Sequence, residues 1–144
     1  MTRRLVLDAN ILIRASFGSR VSTQILRAQQ SVDLFTPEIC LRDAERHMAQ
    51  IAARRAIPIE LPLRALTAAM RCIDLLDEDF TSAHRSLSVK LLRDGDDWPV
   101  LAAALALGAT IWSEDQDFFG TGIPNIVCHN LELWLSSPQF GAIV

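Results

Sequence analysis

The chain has 144 residues, half of them apolar, which suits one core and a single domain over residues 1–144. Only three apolar residues separate Arg4 from Asp8, too few for a signal peptide, and the most apolar segment, Val100 to Trp112, is too short to span a bilayer. A cytoplasmic protein without membrane contact is therefore expected. The net charge of −3 conceals nine arginines against five acids in residues 1–55, and five basic residues against twelve acids beyond. Thirteen of the fourteen basic residues are Arg, whose planar fork suits phosphate, so the acidity neither demands nor excludes a nucleic-acid partner. Cys40, Cys72 and Cys128 are too scattered for a zinc site or a disulfide framework and read as reduced thiols.

In chain order, Leu5-Val6-Leu7 predicts a buried strand ending at Asp8, and Asn10 opens a helix carrying Ile11, Leu12 and Ile13. A second helix is expected over Ser22 to Gln30, on the stripe Val21, Ile25, Leu26, Ala28. Val32 to Phe35 reads as a strand. Thr36-Pro37-Glu38 starts a helix that runs to about Arg55 and stops before Pro58. Further helices are predicted from Pro62 to about Leu75 and from Phe80 to Leu92. Asp97 to Leu107 follows, with Asp96 as cap and Gly108 as terminator. Ala109 to Ser113 and Asn125 to Cys128 read as strands, and Leu131 to Leu135 as a short last helix capped by Asn130. The apolar tail Phe140 to Val144 packs within the chain or on a partner. Alternating strands and helices predict an α/β fold with a mainly parallel sheet, whose ligands gather at the carboxyl ends of the strands.

Four acids stand out from the 17. Asp8 directly follows a buried strand, where an unpaired carboxylate is costly. It needs a cation, a proton, or the backbone N–H groups of a turn. Along the Pro37 helix, Leu41, Glu45, Met48 and Ala52 recur at helical spacing, with Ala44 and Ile51 on the same stripe. Glu45 is thus expected on or beside the apolar face, or at its edge paired with Arg42 or another Arg, while Arg42, Asp43 and Arg46 fall elsewhere. Asp94, Asp96 and Asp97 crowd one helix start; Asp96 suits the cap and Asp97 a ligand role. Asp115 lies two residues beyond the strand ending at Ser113, and Asp117 is close enough to contribute. Oxygen-only ligands suit Mg²⁺ or Mn²⁺, which relieve the mutual repulsion of such acids and activate water toward a phosphodiester.

These segments resemble a known family. Leu5-Val6-Leu7-Asp8-Ala9-Asn10-Ile11-Leu12-Ile13-Arg14 is similar to the opening of PIN-domain nucleases. Asp97-Trp98-Pro99-Val100-Leu101-Ala102-Ala103-Ala104 resembles their third acidic motif, and Ile111-Trp112-Ser113-Glu114-Asp115-Gln116-Asp117-Phe118 their late strand motif. Ser113 stands where Thr is commoner. The resemblance implies a three-layer α/β/α fold, with Asp8, Glu45, Asp97 and Asp115 holding Mg²⁺ or Mn²⁺ and Asp117 as an accessory ligand. It gives Asn10 and Ser113 the task of orienting the site. It further implies an endoribonuclease, with small members acting as VapC-type toxins, homodimeric and inhibited by a cognate antitoxin. RNA contacts fall to Arg14, Arg20, Arg42 or Arg46.

Two other readings compete. A PIN-like scaffold could bind RNA or protein without cutting, although intact, mutually repelling acids argue against it. An aspartate-dependent phosphatase needs a second Asp where this chain has Asn10, and a receiver domain needs a late Lys, whereas Lys90 precedes Asp97. His47, His84 and His129 suggest no metal site or general base.

Overall fold

β1 (Arg3–Leu7) occupies the centre of the molecule because it is apolar on both faces. Leu5, Val6 and Leu7 are fully buried. Successive strand residues face opposite ways. Leu5 and Leu7 accordingly join a core with Ile11, Ile25, Met48 and Leu66, while Val6 joins Leu101, Ala104 and Phe118 on the other side. The computed structural model describes residues 2–92, 97–118 and 120–137. The cap assigned to Asp96, its neighbour Asp94, and the tail Phe140 to Val144 lie outside the described residues.

The sheet has the order β3-β2-β1-β4-β5, and all four pairings are parallel. β2 (Val32–Pro37) and β4 (Thr110–Trp112) flank β1; β3 (Asp74–Leu76) and β5 (Asn125–Ile126) form the edges. α1 (Ala9–Phe17), α2 (Ser19–Ala28) and α4 (Glu60–Met70) supply the first core, together with Ala44 and Met48 of α3 (Glu38–Arg54). α7 (Trp98–Leu107) supplies the largest share of the second. Helices thus cover both faces of a parallel sheet, the expected three-layer α/β/α arrangement. Among the described residues, no helix is long and apolar enough to cross a membrane.

Several boundaries differ from expectation. The predicted Pro62 helix ends at Met70, and Asp74–Leu76 is instead an edge strand paired with Phe35, Thr36 and Pro37. Phe80 to Leu92 is two short helices, α5 (Glu78–Ser82) and α6 (Arg85–Leu91), with Asp77 capping the first through Phe80 N at 2.9 Å. Thr36 does not cap α3. It belongs to β2 and donates its hydroxyl to the Leu7 carbonyl at 2.8 Å. α8 (Leu131–Ser136) has no side-chain cap from Asn130. Gly108 ends α7 as expected, at φ 61°, where a side chain would be strained.

Candidate active site

The turn from β1 into α1 is made by Asp8, whose Oδ1 accepts the Ala9 N–H at 2.8 Å as a helix cap. Its Oδ2 faces β4 and receives the Ser113 hydroxyl at 2.8 Å and the Asn10 amide at 3.2 Å. Parallel pairing of Leu7 with Trp112 places these strand ends side by side. Asp8 is 8 % exposed. Burial pushes its carboxyl above the usual range; the Ser113 and Ala9 bonds pull it back, and Asp115 and Asp43 push it up again.

Ser113 is fully buried, and its Oγ also accepts the Asn10 amide at 3.1 Å and the Asp115 N–H at 3.0 Å. Asn10 Oδ1 takes the Glu114 N–H at 3.2 Å. Asp115 Oδ1 in turn accepts the Asp117 N–H at 2.9 Å, holding the turn after β4. Asn10 and Ser113 therefore link Asp8 to the Asp115 loop through neutral groups.

Asp97 stands at the N-terminal boundary of α7, fixed by the buried helix that follows. Asp97, Asp115 and Asp117 each offer an oxygen, and these atoms all lie within 4.8 Å of one another. Oxygens sharing a divalent ion at about 2.0–2.6 Å span a similar distance. With no nitrogen or sulfur in the set, the trio fits a hard cation such as Mg²⁺ or Mn²⁺.

Asp97 also joins a second grouping. A cleft of about 300 Å³ is lined by Asp8, Asn10, Asp43, His47 and Asp97, among others, with Cys40 in its wall. Asp8 is not one of the close trio, but it shares this cleft with Asp97 and feels the charge of Asp115. Burial, then Asp8 and Asp43, push the Cys40 thiol well above its ordinary range, so it stays protonated.

Glu45 is the misplaced expectation. The buried stripe of α3 is Cys40, Ala44, Met48 and Ala52, and Glu45 lies exposed beyond it. Asp43 precedes Glu45 by two residues, roughly 200° around a helix, and together with His47 it lines the cleft. The spacing of Ile39, Asp43 and His47 along one flank of the Cys40 stripe was the available signal. His47 Nδ1 lies 2.8 Å from the Asp43 carbonyl oxygen.

The arginines divide into two pairs. Arg42 and Arg46 line a neighbouring cavity, and Arg46 Nη2 is 3.1 Å from Asp43 Oδ1. Arg14 and Arg20 act on Glu114 instead. Burial raises the Glu114 carboxyl, but bonds from the Cys128 thiol and N–H, the latter at 2.6 Å, and the two arginine charges leave it below its usual value.

Residues 6–136 match the PIN domain family, a span that includes every acid just described. The chain belongs to the PIN domain family. Its fold is shared with PAE2754 from Pyrobaculum aerophilum, at TM-score 0.73 and 13 % identity over 95 % of this chain and 91 % of that one. It also resembles VapBC2 from Rickettsia felis, solved with a DNA fragment from their promoter, at TM-score 0.64 and 14 % identity over 86 % and 98 % of the two chains. A toxin–antitoxin complex from Klebsiella pneumoniae matches at TM-score 0.60 and 17 % identity over 86 % and 97 %. At these identities the likeness to the three solved structures is one of fold. No curated protein sequence matches the chain.

Proposed function

We propose that this PIN domain is a divalent-metal-dependent endoribonuclease and the toxin of a toxin–antitoxin pair, acting in the cytoplasm. One observation carries the reading: Asp97, Asp115 and Asp117 meet within 4.8 Å beside a buried Asp8 that Ser113 and Asn10 hold in place. Carboxylates arranged this way repel one another, and a cation resolves the cost. Asp97, Asp115 and Asp117 would hold Mg²⁺ or Mn²⁺, with Asp8 and Asp43 facing the same cleft. A bound divalent ion supplies Lewis-acid activation of the phosphodiester and of the attacking water.

The protein's own groups supply positioning. Ser113 and Asn10 fix the Asp8 carboxylate, and Asp8 Oδ1 closes the first turn of α1, so this oxygen pair cannot rotate away. Water adds at phosphorus as the bond to the leaving ribose oxygen breaks, giving one phosphate end and one hydroxyl end. Arg46 pairs with Asp43 in the adjoining cavity, and its guanidinium would suit a phosphate there.

Two of the solved proteins sharing this fold are toxin–antitoxin assemblies, which supports a cognate antitoxin as partner. A homodimer is proposed with it. The test is cleavage of a structured RNA by purified protein with Mn²⁺, with EDTA, and as Asp8→Asn. Cleavage that survives EDTA or Asp8→Asn at the wild-type rate refutes the mechanism.

A further inference from the structure

We propose that the cavity adjoining the acid cleft seats one unpaired nucleotide of the RNA beside the reacting phosphate, with Trp98 taking the base and Arg42 and Arg46 the backbone. The proposal deepens the nuclease reading and rests on it for the position of that phosphate. The cavity measures about 420 Å³ and lies between α3 and the N-terminal end of α7. It shares Ile39, Asp43 and Pro99 with the acid cleft, so the two adjoin along a common wall. A strand whose phosphate reached Asp8 and Asp97 would bring its neighbouring nucleotide to that shared wall. The volume falls in the range of about 300–1,000 Å³ typical of small-ligand clefts.

The lining suits an unpaired base. Trp98 is half-buried, packed against the α7 core and followed by the buried Pro99, so its ring is held rather than loose. The Arg85 guanidinium lies 5.1 Å from the ring centroid, a cation–π contact that steadies it further. Ile39, 40 % exposed, adds apolar surface. Arg42 and Arg46 stand on the same wall as Asp43, at the junction with the cleft. Glu38 and Glu78 also line the cavity, and their charge disfavours further phosphates there. Stacking on a fixed aromatic ring beside arginine is how proteins bind single strands without reading sequence. A duplex offers no free base face, so the site discriminates by pairing state.

The test is the affinity of the full chain, in EDTA, for a fluorescein-labelled single-stranded hexaribonucleotide and for a hairpin duplex. Trp98→Leu is expected to weaken the single strand about tenfold and Trp98→Phe by less than about threefold, with duplex binding unchanged in both. Arg42→Ala should reduce the dependence of log Kd on log salt by about 0.7. Should the Leu variant fail to fold, tryptophan emission serves instead: saturating oligonucleotide quenches the wild type, and Trp98→Phe removes that quench while Trp112 and Trp134 remain. Equal affinity for the single strand in wild type and Trp98→Leu, or a quench that persists in Trp98→Phe, overturns the proposal. Asp8-dependent cleavage with no Trp98 effect on binding overturns the nucleotide site alone. Trp98-dependent binding without cleavage in Mn²⁺ overturns the nuclease reading and leaves the site standing.

Discussion

The Ser113 hydroxyl donates to Asp8 Oδ2 at 2.8 Å, joining residues 105 positions apart at the ends of neighbouring strands. Ser113 Oγ also accepts the Asp115 N–H. Ser113→Ala removes both contacts and leaves a buried carboxylate less satisfied, which costs about 1–3 kcal/mol. Groups that orient metal ligands are worth about 10–100-fold in affinity or activity. Urea unfolding should show the first loss and initial rates at fixed Mn²⁺ the second; Ser113→Thr should retain most of both.

Asp43 and Glu45 make a direct comparison, because one lines the cleft and the other faces solvent. Asp43→Asn is expected to lower cleavage by about a hundredfold or more, as loss of a charge within the centre does. Glu45→Gln should stay within about twofold of wild type and within about 0.5 kcal/mol in stability. Equal loss in the two variants would refute Asp43 as the sole second acid.

Asp8 links stability to pH and metal. Its carboxyl is raised, mainly by burial, so the folded state holds the proton more tightly than the unfolded chain. That contribution is fully present below the unfolded value and is lost as pH rises through the raised folded one. Metal-free protein should therefore lose melting temperature across this window, and Asp8→Asn should lose less. Mn²⁺ at about 100 times its Kd should return about 2.7 kcal/mol at pH 7, several degrees in melting temperature. Parallel pH profiles for wild type and Asp8→Asn in EDTA would exclude Asp8 as the source.

Ala56 offers a prediction away from the site. It follows α3 at φ 54°, with Ala56 N–H donating to the Ala53 carbonyl and Ile57 N–H to the Ala52 carbonyl. This is the helix-ending position that glycine ordinarily fills. The left-handed conformation costs a non-glycine residue about 1–2 kcal/mol, partly offset by the entropy glycine loses. Ala56→Gly should stabilise by roughly 0.5–1 kcal/mol in urea titration with cleavage unchanged.

The parts of the fold legible in sequence carry strong local punctuation. Leu5-Val6-Leu7 before Asp8, and the apolar helix between Asp97 and Gly108, state their own limits and place two acids at them. The strand Thr110–Trp112 leads in the same way to Ser113 and Asp115. β3 was hidden because three residues, Asp74 to Leu76, continue a helical apolar pattern and become a strand only by pairing with β2. The break between α5 and α6 falls at Ala83 and His84, with neither glycine nor proline to announce it. On α3 the apolar stripe is broad enough to admit either flank, and only the packing of Cys40, Ala44 and Met48 turns Asp43 rather than Glu45 toward the cleft.

The strand order has a consequence for when the centre comes into being. β1 precedes β4 by more than a hundred residues, yet Asp8 at its end is held by Ser113 just after β4. Pairings this distant form late, since closing the intervening loop must precede any reward from contact. A cut between α3 and α7 separates Asp8 and Asp43 from Asp97, Asp115 and Asp117. Neither piece of a chain cut there holds the whole acid cluster.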